Sequence, residues 1–360
     1  MTQTWHKWDP ICPAPKGLVR PVPLDPAGVA GPTRGQARGR GWRRTTQGLY
    51  VPSDVDAAVV EQRILEMSML LPELGGATGW AGCRADGATF FDGLMTDGQT
   101  ELPVPLCIGP LGKRREPKDA VYSRERLLPG ELVTRHGIQC VNRFRSLFDE
   151  MRYAVSVRES VVAMDMMAAA ERISLRQMWG YVDEHPGWTG VPQARAALEL
   201  ASEHSRSPNE TRMRMIWRLD AGLPPPLVNR PVFDLNGRLL GYPDLLDPVA
   251  GLVGEYDGAE HRKARRHSKD VAREERMRAV GLEYFKITGP DLPDVPLVVA
   301  RMTSTRSRAK WLSPERRAWT LQPPVGWEQP PTLDQTLELR AVMAAIHEGH
   351  ERAVTLAAAG

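Results

Sequence analysis

Residues 241–281 read GYPDLLDPVAGLVGEYDGAEHRKARRHSKDVAREERMRAVG. Pro243-Asp244 stands at the end of one apolar run, the turn Pro248-Val249-Ala250-Gly251 follows, and the next run carries Glu255-Tyr256-Asp257. Two strands joined by so short a turn bring Asp244 and the 255–257 acids to the same end of a sheet. Residues 255 and 257 point to one face of their strand. Converging carboxylates suit Mg²⁺ or Mn²⁺, which takes hard oxygen ligands and keeps several waters, so two or three acids suffice. Such an ion is the usual reagent of phosphodiester hydrolysis.

Working outward, Ser207-Pro208-Asn209-Glu210 is a helix start: Ser as N-cap, Pro at the first helical position, Glu three residues on. Met213, Ile216, Trp217 and Ala221 then recur at helical spacing. Gly222 and the run Pro224-Pro225-Pro226 forbid continuation. Strands are expected over 227–234 and 238–247, joined at the hairpin dipeptide Asn236-Gly237, and over 252–257. A helix over 268–280 stops at Gly281, and residues 282–287 form a last strand before Gly289-Pro290. The order is helix, three-stranded meander, helix, strand.

That order, with those acids, resembles the PD-(D/E)xK restriction-endonuclease-like fold, in the branch near very-short-patch-repair endonucleases. The matching positions are Glu210, Asp244, Glu255-Tyr256-Asp257-Gly258, His261, Asp270 with Arg273, and Lys286, over about residues 203–292. The resemblance implies an α-βββ-α-β core and a metal-dependent nuclease. Asp244, Glu255, Asp257 and Glu210 would be metal ligands for Mg²⁺ or Mn²⁺. His261 would be an acid or a phosphate contact, and Lys286 would lie near the attacking water. Many enzymes of the fold carry Lys two residues after the Glu; here that position is Asp257, so Lys286 or Lys263 must supply the positive charge, or the site is inactive.

Each residue also has a plainer reading. Asp244 follows Pro and marks a turn; Glu255, in an apolar strand, needs a partner and finds it in an Arg; Asp257-Gly258 is a turn. Glu210 serves only the helix cap, His261 only starts a helix, and Lys286 is a solvated strand residue.

The whole chain has 360 residues and a formal net charge of +3, long enough for two or three domains and not basic overall. The expected divisions are a basic arm and hairpin over 1–52, a mixed helical and strand domain over 53–202, the nuclease-like core over 203–295, and a basic linker with helical tail over 296–360. Charge is clustered. Arg262, Lys263, Arg265, Arg266 and Lys269, with Arg273, follow the acids directly and are the candidate nucleic-acid contacts. A second cluster, Arg301 to Arg317, is interleaved with Trp311 and Trp319. The bland reading of either is a solvated face. The four cysteines, Cys12, Cys83, Cys107 and Cys140, lack ligand spacing, which argues against structural zinc. No run approaches 18 apolar residues and the first residues carry no apolar signal core, so the expectation is a cytoplasmic protein without a membrane partner.

Residues 41–52, GWRRTTQGLYVP, read as a short basic hairpin. It is similar to the wing of AbiEi-type antitoxin proteins, which implies a winged-helix-like N-terminal region, although no helix-turn-helix precedes it. Residues 102–108 and 132–141 read as strands and 110–127 as a loop. Helices are expected over 143–151, 155–170 and 175–183. The fold class is mixed α/β. Two functions follow: a metal-dependent nuclease acting on nucleic acid, DNA first, or a DNA-binding regulator, antitoxin-like, with a degenerate nuclease fold. A protein partner or self-association is compatible with either.

Overall fold

The computed structural model describes residues 17–112, 115–258 and 264–359, and of 264–270 and 348–359 only the helical backbone. The protein is mixed α/β. It divides into two compact units: residues up to Val155 with Gln177–Ala196, and Ser156–Arg176 with Ala197–Gly360.

The first unit holds a five-stranded sheet in the order Ala120–Ser123, Val104–Cys107, Gly76–Ala77, Ile138–Val141, Leu132–Arg135. Residues 132–141 are a hairpin, not one strand. His136 and Gly137 both take positive φ, 52° and 75°, and turn the chain back. The charged 110–127 segment contains the edge strand Ala120–Ser123, which pairs in parallel with Val104–Cys107. The basic hairpin forms: Trp42–Arg44 pairs with Leu49–Pro52, and Val22–Pro23 adds a third strand. Arg43 is spent on structure, in a two-pronged pair with Glu66 of the helix Val60–Ser68 at 2.9 and 2.7 Å. The helix before the hairpin, Arg34–Ala37, has four residues.

The second unit carries the segment singled out above. Its elements are α1 (Val157–Ala169), α2 (Pro208–Met215), β1 (Leu227–Val228), β2 (Val232–Asp234), β3 (Leu239–Gly241), β4 (Leu245–Asp247), β5 (Leu252–Asp257), α3 (Ala264–Ala279), β6 (Glu283–Thr288), α4 (Val295–Arg308), β7 (Trp319–Thr320) and α5 (Leu333–Ala359). Ser207 caps α2 as its sequence requires, accepting from the Glu210 N–H. α2 then widens into a π-turn over Ile216–Asp220, where the Ala221 N–H reaches the Ile216 carbonyl at 2.9 Å.

The main sheet has the order β6-β5-β4-β1. β4 is antiparallel to both β1 and β5, while β5 and β6 are parallel and joined through α3, as a parallel pair requires. The expected three-strand meander is divided. β2 and β3 leave this sheet and pair with β7 in a second one. Both expected long strands break at the same level. Asn229 adopts φ +47°, a conformation Asn tolerates, and Pro231 and Pro243 have no N–H for a ladder.

The main sheet is buried on both faces. Leu245, Leu252, Phe285 and Ile287 pack with Met213 and Trp217 of the α2 region and with Val298 and Met302 of α4. Leu246, Val253 and Tyr284 pack with Met277 of α3, Leu240 and Trp319. Trp217 is fully buried, stacks on Phe285 at 6.1 Å and donates its indole N–H to the Pro224 carbonyl at 2.7 Å. Burying a ring such as that of Phe285 contributes about 1.5–3 kcal/mol.

Candidate functional site

The break between β3 and β4 makes the site. In β4 and β5, Leu245 stands opposite Gly254 and Leu246 opposite Val253. Continued in register, the ladder would set Pro243 against Tyr256. There the Asp244 side chain takes over from the backbone: its Oδ2 accepts the Tyr256 N–H at 2.7 Å. The Asp244 carbonyl faces the Asn229 N–H at 3.3 Å. Asp244 is therefore held by the ladder it terminates, with its carboxyl drawn out of water.

Glu210 comes to the same place from the first turn of α2. It accepts from the Ser207 hydroxyl at 3.0 Å, the Arg206 N–H at 2.9 Å and the Asn229 side-chain amide at 3.0 Å. Glu210 thus braces the helix start through Arg206 and the Ser207 hydroxyl rather than the Ser207 N–H, and Asn229 ties it to the strand break. Asn209 donates to the Tyr256 hydroxyl at 2.7 Å. In the sequence, Asn209 and Tyr256 stand out only as neighbours of Glu210 and Glu255, and Asn229 does not, its one signal being its place two residues before a proline in an apolar run.

Glu255 is buried, 4% exposed, on the face of β5 that α3 covers. It pairs with Arg273 of α3, which is the ion-pair reading of that residue. Arg273, expected at a nucleic-acid surface, is turned inward to this carboxylate. Lys286 is the register partner of Glu255 on β6. Its ammonium meets Glu274 of α3 at 2.6 Å and lies 5.6 Å from the Tyr284 ring centre, so it is not a solvated strand residue. Asp257 ends β5 opposite Thr288, on the same strand face as Glu255. His261, Arg262 and Lys263 lie outside the described residues, and so do the side chains of Arg265, Arg266, Lys269 and Asp270.

The electrostatics mark Asp244. Its carboxyl is pushed well above the ordinary 3.8, first by burial, then by the negative charges of Glu210 and Glu255; the Tyr256 N–H bond and Arg273 act the other way. Burial, then the Glu255 charge, pushes the Tyr284 phenol up. Two acids, from α2 and β5, therefore act on a third beside β4, with Arg273 as counter-charge.

Among the described residues no group of three or more His, Cys, Asp or Glu side chains stands arranged to hold a metal ion. The donor chemistry of Asp244, Glu255 and Glu210 nonetheless fits a divalent cation with oxygen ligands, and crowding of acids around Asp244 is what such a cation relieves. No protein-family model, curated protein or solved structure matches the chain. No helix among the described residues is long and apolar enough to cross a membrane.

Proposed function

We propose that the second unit is a divalent-metal-dependent nuclease that hydrolyses phosphodiester bonds of nucleic acid, DNA in the first instance. The observation that carries the reading is Asp244: a carboxyl at a strand break, out of water, raised by its neighbours Glu210 and Glu255. Each acid has a structural partner of its own, but gathering like charges out of water is costly, and a bound cation would offset that cost. The arrangement of β4, β5, α3 and β6 supports the same reading, because it carries these acids in the order of the family named above.

In this reading Asp244 and Glu255 hold Mg²⁺ or Mn²⁺, with Glu210 or Asp257 completing the ligands. When bound, the cation supplies an acidified water and charge stabilisation on the phosphate. Asp244 is kept in place by the Tyr256 N–H, and Asn229 keeps Glu210 beside it. Arg273 balances the acids when no cation is bound. Lys286, next to Glu255 on β6, supplies the positive charge that Asp257 cannot. His261 and the basic residues from Arg262 to Lys269 neutralise the substrate's phosphates.

The Glu255–Arg273 pair and the acid at position 257 favour a second reading, a DNA-binding regulator whose nuclease site has degenerated. Cleavage of plasmid, single-stranded DNA and RNA with Mg²⁺, Mn²⁺ or EDTA separates the two. The nuclease reading expects metal-dependent cleavage that Asp244→Asn abolishes, by at least about 100-fold, with binding retained. Equal cleavage by wild type and Asp244→Asn overturns it. DNA binding without cleavage by either transfers support to the regulator.

A further inference from the structure

At the other end of the same sheet, α4 runs out into an exposed basic segment. Arg308, Lys310 and Arg316 are exposed. Among them stands Trp311, 47% exposed. Its N–H reaches the Ala250 carbonyl at 3.4 Å, in the turn between β4 and β5. Glu255 lies five residues farther along β5, on the order of 16 Å at the rise of a strand. This surface is therefore separate from the acids.

Two features set Trp311 apart from an ordinary surface aromatic. Its φ is +50°, where a bulky side chain is an outlier and persists only if its surroundings hold it. The Arg306 guanidinium lies 4.4 Å from the ring centre and is itself fixed by the buried Asp247 carboxylate at 2.9 Å. The ring is thus backed by an oriented cation and about half exposed, with the exposed Arg308, Lys310 and Arg316 and one acid, Glu315, in the same segment.

We propose that Trp311 is a stacking platform for an unpaired base of single-stranded nucleic acid, with Lys310, Arg308 and Arg316 neutralising the adjoining phosphates. A flat π-face with cations around it matches a ligand that is flat and anionic in alternation, and base–aromatic stacking tolerates any base. The Arg306 stack strengthens the platform by cation–π attraction. Bases within a duplex are stacked on one another and present no free face, which selects the single strand. A lone aromatic amid charges lacks the contiguous apolar area of a protein-docking surface. The inference shares its substrate class with the nuclease reading but not its chemistry.

The test is fluorescence anisotropy of the full chain with a short fluorescein-labelled single-stranded oligonucleotide and with the same sequence as a duplex, in EDTA. Trp311→Gly removes the ring and relieves the left-handed backbone, so it does not fail by misfolding there; Trp311→Phe keeps a smaller ring. Trp311→Gly is expected to weaken single-strand binding roughly tenfold, Trp311→Phe by less, and duplex binding by about twofold at most. The double variant Lys310→Ala/Arg316→Ala is expected to flatten the salt dependence by about 1.4 in slope. Wild-type affinity in Trp311→Gly overturns the proposal. A loss of equal size on the duplex also overturns it, since that marks a phosphate surface rather than a stacking one. Because no metal is present, a cleavage failure sinks the nuclease reading alone.

Discussion

Asp244 holds its proton in the folded protein more tightly than in the unfolded chain, because burial and the charges of Glu210 and Glu255 disfavour its ionised form. The sign of the pH effect follows. A raised carboxyl stabilises the fold at pH below about 3.8, its ordinary value, and that stabilisation is lost as pH rises through the folded-state value. Asp244→Asn keeps an acceptor for the Tyr256 N–H and removes the charge. Urea melts from acid to neutral pH are expected to show the variant more stable at neutrality, with the difference vanishing in acid. A constant difference across the range would mean that Asp244 does not titrate with folding. If Asp244 holds a divalent cation, Mg²⁺ or Mn²⁺ at 100 times its dissociation constant stabilises the wild type by about 2.7 kcal/mol and the variant by far less. Identical melting curves for wild type with and without metal would speak for a dead site. Arg273→Ala removes a guanidinium from the buried Glu255 carboxylate and is expected to cost about 1.5–3 kcal/mol; added Mg²⁺ recovers part of that loss only if the ion replaces the guanidinium.

Among elements, the pairing of β5 with β6 governs the site, since it sets Glu255 beside Lys286. Gly254, next to Glu255 on the other face of β5, stands opposite Phe285 in register. A Cβ at Gly254 would collide with the buried Phe285 ring. Gly254→Ala is expected to destabilise by about 1–3 kcal/mol through overpacking. Combining it with Phe285→Leu is expected to cost less than the two changes summed. Strict additivity in denaturant melts would show that the ring is not the obstacle. The helix start at Ser207-Pro208 was legible because its signal is local: a cap, a proline and a glutamate within one turn. The strand break was not. Both strands read as continuous in the sequence, and only the folded sheet brings Pro231 and Pro243 to neighbouring rungs, one residue out of register, so that two prolines make one divide. Residues 132–141 misled for a related reason, because a two-residue turn at His136-Gly137 leaves the apolar pattern almost uninterrupted.

At the scale of the molecule, the units interleave along the chain. α1 groups with the second unit, although it precedes the boundary expected near 202 from the sequence. Asp165 of α1 is fully buried and accepts from Arg214 at 2.5 Å and Thr211 at 2.7 Å, both in α2, and from the Ser202 N–H at 2.7 Å. Burial raises the Asp165 carboxyl, and Arg214 draws it back. Removing either partner leaves a buried charge uncompensated. Asp165→Asn is expected to cost about 3–5 kcal/mol, read as a shift in urea midpoint. A fragment of residues 203–360 lacks Asp165 and is expected to show no cooperative melting by circular dichroism. A sharp transition in that fragment would show that α1 is dispensable.

By itself the sequence determined the local and short-range features: the capped start of α2, the apolar runs of β4 to β6, the turn between β4 and β5, and the presence of Glu210, Asp244 and Glu255 on elements in a set order. These depend on dihedral preference and on periodicity within a few residues. The tertiary structure decided the rest: that β2 and β3 leave the sheet, that Arg273 turns in to Glu255 and Lys286 to Glu274, and that Asn229 ties Glu210 to the strand break. Those outcomes depend on which side chains meet across separate elements. A carboxylate's charge state is set by the burial and the neighbours it finds there, and neither is written in its own stretch of chain.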